Sequence, residues 1–417
     1  MKKMILCSFV FIIYAFSQAQ TLNIETCYQL ARQQYPVTKQ HDLIKKANQY
    51  TISNIAAGYL PQLNINGQAT YQSEVTQVPV KIQGIDIPEI SKDQYKLYGE
   101  ITQIIFDGGV IKQQKKIQDA GSAVEEQTLE VELYKLNDRI NQLFFGILLI
   151  DEQLKQNSIT NKDIEAALKK TAASVANGTA LRSNADVLKA EMIKNDQRAI
   201  ELSAMRKAYT SMLGLFTGQN INENTILEKP EPMLAPPDIH RPELSLYQQQ
   251  IKLLNAQQNL ITAKNLPKLG LFAQGGAGRP ALNMLSNKFE PYYLGGVRLN
   301  WSLGNFYTAR REKSIIDLKR QTIELQKETF LFNTNLTGKQ QSAEADKWTS
   351  LLQTDDEIIT LRTNVKSAAA AQLENGVITS SDFIRELNAE DQAKQSKALH
   401  EIQLLLTQYS IKWNTGN

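Results

Sequence analysis

The sequence predicts a mostly α-helical chain that also carries membrane β-strands, built from one pattern used twice. Three observations carry this prediction. Residues 110–177 contain no proline and only two glycines, Gly121 and Gly146. Within them Leu129, Leu133, Leu136, Ile140, Leu143, Ile147, Ile150 and Leu154 follow a 4-3-4-3-4-3-4 spacing, the seam of a helix packed lengthwise on its neighbours. A continuous helix of that span would reach about 100 Å, far beyond the roughly 11–12 residues of an ordinary globular helix. Next, several stretches of about ten residues alternate between apolar and polar side chains, the length and period of a tilted membrane strand. Lastly, all 12 prolines fall within residues 36–88 and 230–291, an alternation that points to two similar halves.

The first residues have the form of a secretory signal. Lys2 and Lys3 make a basic start, residues 4–16 an apolar run, and Ser17-Gln18-Ala19 a small-x-small cleavage site. The signal is therefore placed at residues 1–19, with the mature chain from Gln20. Cys27 is then the only cysteine of the mature protein and cannot staple the fold. Past the signal, no stretch approaches the roughly 20 apolar residues of a membrane helix, so insertion must be by strands.

The first repeat spans residues 20–218. Residues 21–59 read as helix, divided near Tyr35 by Pro36. At Leu60-Pro61 the period changes to two. Leu63, Ile65, Gly67, Ala69 and Tyr71 alternate with Asn64, Asn66, Gln68 and Thr70, giving a strand over 61–73. A second strand, 94–106, sets Tyr95, Leu97, Gly99 and Ile101 against Lys96, Tyr98, Glu100 and Thr102. It ends at Phe106-Asp107-Gly108-Gly109, where paired glycines permit a sharp passage into the long helix 110–177. That helix stops at Asn177-Gly178-Thr179, and a return helix occupies 182–216. A Pro-rich linker, 219–241, is too broken for rod or strand and is expected at the outside.

The second repeat, 242–417, copies this plan. Pro242 and Pro267 keep the interval of Pro36 and Pro61, and Lys46, Ile55, Ala57, Leu60 and Leu63 match Lys252, Ile261, Ala263, Leu266 and Leu269. A helix leads to strands at 267–276 and 292–303 with a glycine-rich loop between them. Leu303-Gly304-Asn305 stands where Phe106-Asp107-Gly108-Gly109 stood, followed by a long helix 306–374, the turn Glu374-Asn375-Gly376 and a return helix 380–413. Four membrane strands cannot close a barrel, and an open edge does not survive in lipid. The chain is therefore expected to oligomerise and form a conduit.

Signal, duplication, the two Leu-Pro-x-Leu strand entries, the Phe-Asp-Gly-Gly exit and the Gly-then-Asp tips together resemble the TolC-like outer-membrane efflux proteins, over essentially the whole mature chain. The resemblance implies a homotrimer with a twelve-stranded outer-membrane β-barrel, four strands per chain, continued by a coiled-coil-like α-helical barrel in the periplasm. It implies passive export for a tripartite efflux or type I secretion system, with a periplasmic adaptor (a membrane fusion protein) and an inner-membrane RND- or ABC-type transporter. It also implies a pore constriction past the second tip, where Asp382 occupies the family's acidic position, with Asp186 and Arg385 as companions. The chain has Arg385 where the best-known pattern has a second acid, Leu373 for an aromatic and Ile378 for an arginine. A ring of carboxylates at an aperture would attract cations. Equally, Asp382 and Asp186 suit the positive end of a helix, the reading favoured for Asp186. Gly178, Thr179, Leu181, Gly376, Val377 and Ile378 are expected at the adaptor-docking tips, and Pro61, Gly108, Gly109, Pro267 and Gly304 at the strand–helix transitions.

The remaining classes find little support. A net charge of +3, with no basic cluster interleaved with aromatics, argues against nucleic acid. His41, His240 and His400 have no acid or cysteine at metal spacing and read as solvent-exposed. No nucleophile elbow, phosphate loop or zinc-helix motif occurs, and the glycines at 270, 275, 276 and 278 read as strand and loop glycine. No enzyme, cofactor or metal is expected. Tyr71, Tyr95, Tyr292, Tyr293 and Trp301 are expected to form an aromatic girdle against outer-membrane lipid. A poreless periplasmic coiled-coil scaffold or adaptor explains the rods but not the strands; an enzyme on a helical stalk lacks a catalytic constellation.

Overall fold

The structure, a computed structural model, describes residues 21–77, 90–222, 225–233 and 238–417. The signal segment and the linker prolines Pro236 and Pro237 lie outside the described residues. In chain order the elements are β1 (Thr21–Leu22), α1 (Ile24–Gln34), α2 (Gln40–Ala56), β2 (Gln62–Tyr71), β3 (Asp93–Phe106), α3 (Val110–Tyr134), α4 (Leu136–Ala176) and α5 (Arg182–Thr217). They continue with β4 (Ile226–Leu227), α6 (Pro242–Lys264), β5 (Lys268–Arg279), β6 (Glu290–Asn300), α7 (Phe306–Glu374) and α8 (Ser380–Thr415). Strands β2 and β5 each begin one residue after a proline, Pro61 and Pro267, and from there to the tips both repeats run strand, strand, helix, with the helical stretch of the first divided into α3 and α4. The chain divides into two compact units.

One unit is helical and comprises the N-terminal stretch to Thr38, Glu132–Arg241 and Leu331–Asn417. The heptad row supplies its core. Ile140 and Ile147 are fully buried, with Leu143, Phe144, Phe145 and Leu148 beside them. Against them pack Ile24, Cys27 and Ala31 of α1, Leu213 of α5, and Ile402, Leu405 and Tyr409 of α8. Phe145 lies 5.3 Å from the Tyr409 ring and 5.9 Å from that of Phe144. Burial pushes the Cys27 thiol up to about 12, so it remains an inert part of this core.

Two sequence expectations are corrected in this unit. The long helix over 110–177 is interrupted at Lys135 between α3 and α4. The reason is a contact with α8. The Trp413 indole donates to the Tyr134 carbonyl at 3.2 Å, taking an acceptor that an unbroken helix would use, and the Tyr134 hydroxyl donates back to the Trp413 carbonyl at 2.7 Å. The two rings stack, and the Arg241 guanidinium lies 5.1 and 4.7 Å from their centroids. The linker is also not simply external. Ile221 and Leu227 are buried in the core, and β4 pairs in parallel with β1 through Leu22↔Leu227.

The other unit comprises Lys39–Val131 and Pro242–Phe330. It holds a four-stranded sheet in the order β2-β3-β5-β6, with every neighbouring pair antiparallel. Strand β5 runs past the expected end at Gly276 through Gly278 to Arg279, so Gly278 is strand rather than loop. The ladder itself requires the small residues, because a Cβ on Gly276 would lie 2.2 Å from the Leu97 carbonyl.

Ile140 tests the packed face. Ile140→Asp would place an uncompensated charge in a fully buried site. Denaturation of the purified protein is expected to show a loss of about 3–5 kcal/mol, or no folded protein; unchanged stability would mean that the packed face lies elsewhere.

Candidate functional site

Two regions concentrate functional features, the sheet in one unit and the helical tips in the other. The sheet's register decides how its side chains divide. Opposed residues share a face, and Leu63↔Ile101, Ile101↔Ala273, Ala273↔Gly295 run straight across all four strands. That face carries Leu63, Ile65, Leu97, Ile101, Leu271, Tyr293, Val297 and Leu299, and all of them are exposed. Ile65 is 79% and Tyr293 87% accessible. A contiguous apolar face left this open marks an interaction surface. The opposite face carries Asn64, Asn66, Gln68, Lys96, Glu100, Thr102, Gln274 and Arg298. Tyr71, Tyr95 and Tyr293 lie toward one end of the apolar face. Tyr292 pairs with Gly276 on the polar face and is corrected out of the expected girdle.

The strand–helix passage is built by Asp107. Its buried carboxylate accepts from the Gly109 amide at 2.8 Å and the Ile111 amide at 2.6 Å, closing the free amino end of α3. Gly108 and Gly109 both have left-handed φ, 74° and 81°. A Cβ on Gly108 would also lie 2.7 Å from the Ala263 carbonyl, so only glycine fits. In the second repeat Asn305 donates to the Lys264 carbonyl at 3.1 Å and Trp301 to that of Asn265 at 3.0 Å. Gly304 there sits in a short 3₁₀ turn with negative φ and open space about it. The sequence pointed to the glycines; Asp107 does the capping.

The helical unit ends in two hairpin tips. Gly178 and Gly376 have φ of 73° and 70°. Each closes a Schellman turn, with Thr179 N donating to Ser174 O at 2.9 Å and Val377 N to Gln372 O at 2.8 Å. Leu181 and Val377 remain 72% and 70% exposed, whereas Ile378 packs onto a core of Ile164, Leu188, Phe383 and Leu387. A cleft of about 710 Å³ separates the tips and brings Thr179, Leu181, Gly376, Val377, Ile378 and Asp382 to one place.

The structure divides the expected constriction residues. Asp382 closes a capping box at the start of α8, accepting from the Thr379 amide at 3.2 Å and the Thr379 hydroxyl at 2.7 Å. Its carboxyl is held below the usual range, first by the Thr379 hydroxyl, then by the Thr379 amide, with Arg385 adding. Arg385 reaches Asp382 at 3.4 Å and Glu386 at 3.1 Å. Asp186 is the fifth residue of α5, and that helix has no acid in its first turn, so the helix-end reading of Asp186 is corrected.

Sequence reasoning missed a buried ion-pair cluster above the tips. Glu390, 2% exposed, accepts from Lys366 at 2.9 Å, Lys394 at 2.8 Å and Thr363 at 2.8 Å, and Lys366 also meets Asp163 at 2.9 Å. The cluster joins α4, α7 and α8. Burial drives the Glu390 pKa up, but the three hydrogen bonds outweigh it and leave it lowered. His400 is likewise corrected: it is largely buried, with Nδ1 2.8 Å from the buried Asp355 carboxylate. Residues so far apart in sequence carry no local signal. Among the described residues no His, Cys, Asp and Glu cluster could hold a metal, and no helix is long and apolar enough to cross a membrane.

Solved structures share this architecture. The open-state outer-membrane channel MtrE of Neisseria gonorrhoeae matches with a TM-score of 0.67 at 12% identity, over 94% of this chain and 89% of that one. The outer-membrane channel CmeC of Campylobacter jejuni matches at 0.65 and 10% identity, over 94% and 85%. The outer-membrane protein VceC of Vibrio cholerae matches at 0.60 and 13% identity, over 94% and 96%. The fold is the TolC-like fold of outer-membrane channels. No family model and no curated protein matches the sequence.

The ion-pair cluster gives a signed prediction. A lowered Glu390 pKa contributes stability that is present above the ordinary glutamate range and is lost as pH falls through the folded value. Glu390→Ala should lower stability by about 2 kcal/mol at neutral pH, since Lys366 retains Asp163, with the deficit shrinking in acid. Denaturant titrations of parent and variant at pH 7 and in acid measure it, and a deficit independent of pH would remove Glu390's charge from the account.

Proposed function

We propose that this protein is an outer-membrane exit duct that works as a homotrimer. The observation that carries the reading is the sheet, apolar and open on one face, polar on the other, in a chain with the channel fold. Lipid suits the apolar face, and an aqueous bore suits the polar one. The outer edges of β2 and β6 have no strand partner among the described residues, and a barrel closed by neighbouring copies supplies one. Helix α7 adds a second argument. Ile315, Leu318, Leu325, Phe332 and Leu336 recur at spacings of three, four and seven along it, and all are exposed, a seam that fits a second copy of the chain. The same exposed sheet face disfavours a poreless scaffold.

In this reading substrate passes without chemistry from an inner-membrane transporter of RND or ABC type, through a periplasmic adaptor, into the duct. The tips at Gly178, Thr179, Leu181, Gly376, Val377 and Ile378 receive the adaptor, with Leu181 and Val377 as apolar contacts. Asp382 lies near the constriction with Arg385, and Asp186 on α5 accompanies them. The capping box favours the charged form of Asp382, so three copies would bring three carboxylates toward the aperture.

Assembly is tested by mass measurement. A stable trimer is expected in detergent, and a stable, fully folded monomer in a bilayer would defeat the reading. For the aperture, Asp382→Asn removes charge at nearly constant size. Planar-bilayer recordings are expected to show weaker cation selectivity and weaker block by multivalent cations. Parent-like conductance accompanied only by a small loss of stability would confine Asp382 to capping α8.

A further inference from the structure

On the polar face of the sheet, one group of side chains is assembled across three strands. Arg298 of β6 reaches over β5 to the Glu100 carboxylate of β3, Nη2 to Oε1 at 2.9 Å. Between them lies Phe272 of β5, with the guanidinium carbon 4.5 Å from its ring centroid. Glycine makes room for the platform, since a Cβ on Gly296 would come within 3.1 Å of the Phe272 ring. Glu100 is 14% exposed and Arg298 51% exposed. The acid is tucked against the wall while the cation keeps a free side. A cavity of about 310 Å³ opens beside the guanidinium, also lined by Lys268 and Asn300.

We infer that Glu100 and Arg298 are the residues that set charge selectivity in the strand-walled part of the duct. The inference rests on the proposed channel function, because it takes the polar face as the wall of the bore. A side chain as long as arginine, left unpaired, would project its charge from that wall. Here the carboxylate cancels the charge, and the aromatic face holds the guanidinium flat. The pair is neutral as a unit, and in the parent it adds no net charge to this level of the wall beyond that of Lys268. Unpairing it converts each copy into a fixed charge inside a low-dielectric rim, where such charges concentrate counter-ions. Glu100 therefore masks an anion-attracting site made by Arg298, with Lys268 close enough to add to it.

The experiment is the reversal potential of single channels in planar bilayers under a KCl gradient, at about 0.1 M salt, where screening extends over about 10 Å. Glu100→Gln exposes the arginine and is expected to raise the chloride-to-potassium permeability ratio severalfold. Arg298→Gln exposes the carboxylate and should shift the ratio the other way, and the double variant should return close to the parent. If Glu100→Gln fails to assemble, the direction of the Arg298→Gln shift decides alone. A purely structural pair would lower trimer yield and leave the reversal potential of both single variants at the parent value, which would overturn the inference. A parent protein that forms no channel at all would instead defeat the functional reading on which it rests.

Discussion

A sheet whose apolar face is uncovered, and whose outer edges have no strand partner among the described residues, is unstable alone in either water or lipid. In water the apolar face is exposed, and in lipid the unpaired amides and carbonyls of the edges each cost several kcal/mol. That single constraint governs the rest of the chain. The sheet has to be closed by other strands, and in the proposed trimer those strands come from other copies. The helices must then also meet their counterparts laterally, which explains why α7 shows an apolar seam that the chain itself leaves uncovered. A monomer with every apolar stripe satisfied would be incompatible with such closure.

The passage from strand to helix is the costliest local geometry, and each repeat solves it differently. In the first, two consecutive residues adopt left-handed φ and the Asp107 carboxylate takes two free amides of α3. In the second, a 3₁₀ turn carries the chain, and Asn305 and Trp301 bind the last carbonyls of the α6 region. Duplication has preserved the position of the turn and not its chemistry. The tips behave oppositely. Gly178 and Gly376 keep the same Schellman geometry in both repeats, while only α8 gains a capping box. A Schellman turn depends on one backbone conformation that glycine alone adopts cheaply, so it resists divergence. A side-chain cap is one of several equivalent solutions and drifts.

The same distinction explains what could be read from the sequence. Features written in period and punctuation were legible: the alternation of β2, the heptad row from Leu129 to Ile150, and the glycines of both tips. Features that depend on one long-range hydrogen bond were not. The break at Lys135 depends on Trp413, 278 residues away, donating to the neighbouring Tyr134 carbonyl. The burial of His400 depends on Asp355, and the cluster about Glu390 joins three helices. Tyr292 shows the limit within a strand. Two adjacent tyrosines look equally suited to a girdle, and only the register assigns Tyr293 to the apolar face and Tyr292 to the other.

The charged contacts of α7 separate it from the other long helices. Helices α4 and α5 meet α8 through apolar side chains and the hydrogen bonds Thr160–Asp391, Arg198–Gln395 and Asn388–Glu191, whereas α7 meets it through Ala369 near the tips and through the charged contacts Lys366–Glu390, Lys397–Asp356 and His400–Asp355, with Thr363–Glu390 beside them. Apolar packing is short-ranged and close to all-or-none, because a gap of a fraction of an ångström already forfeits much of the contact. Ion pairs and long side chains tolerate larger separations and can exchange partners with water. A helix held in this manner can shift against its neighbour at lower cost than one locked by interdigitated leucines. In the proposed duct, charged contacts of this kind are where movement of a helix would cost least. The cluster at Glu390 lies between the apolar core about Ile140 and the tips, so it can hold α7 in place without fixing it.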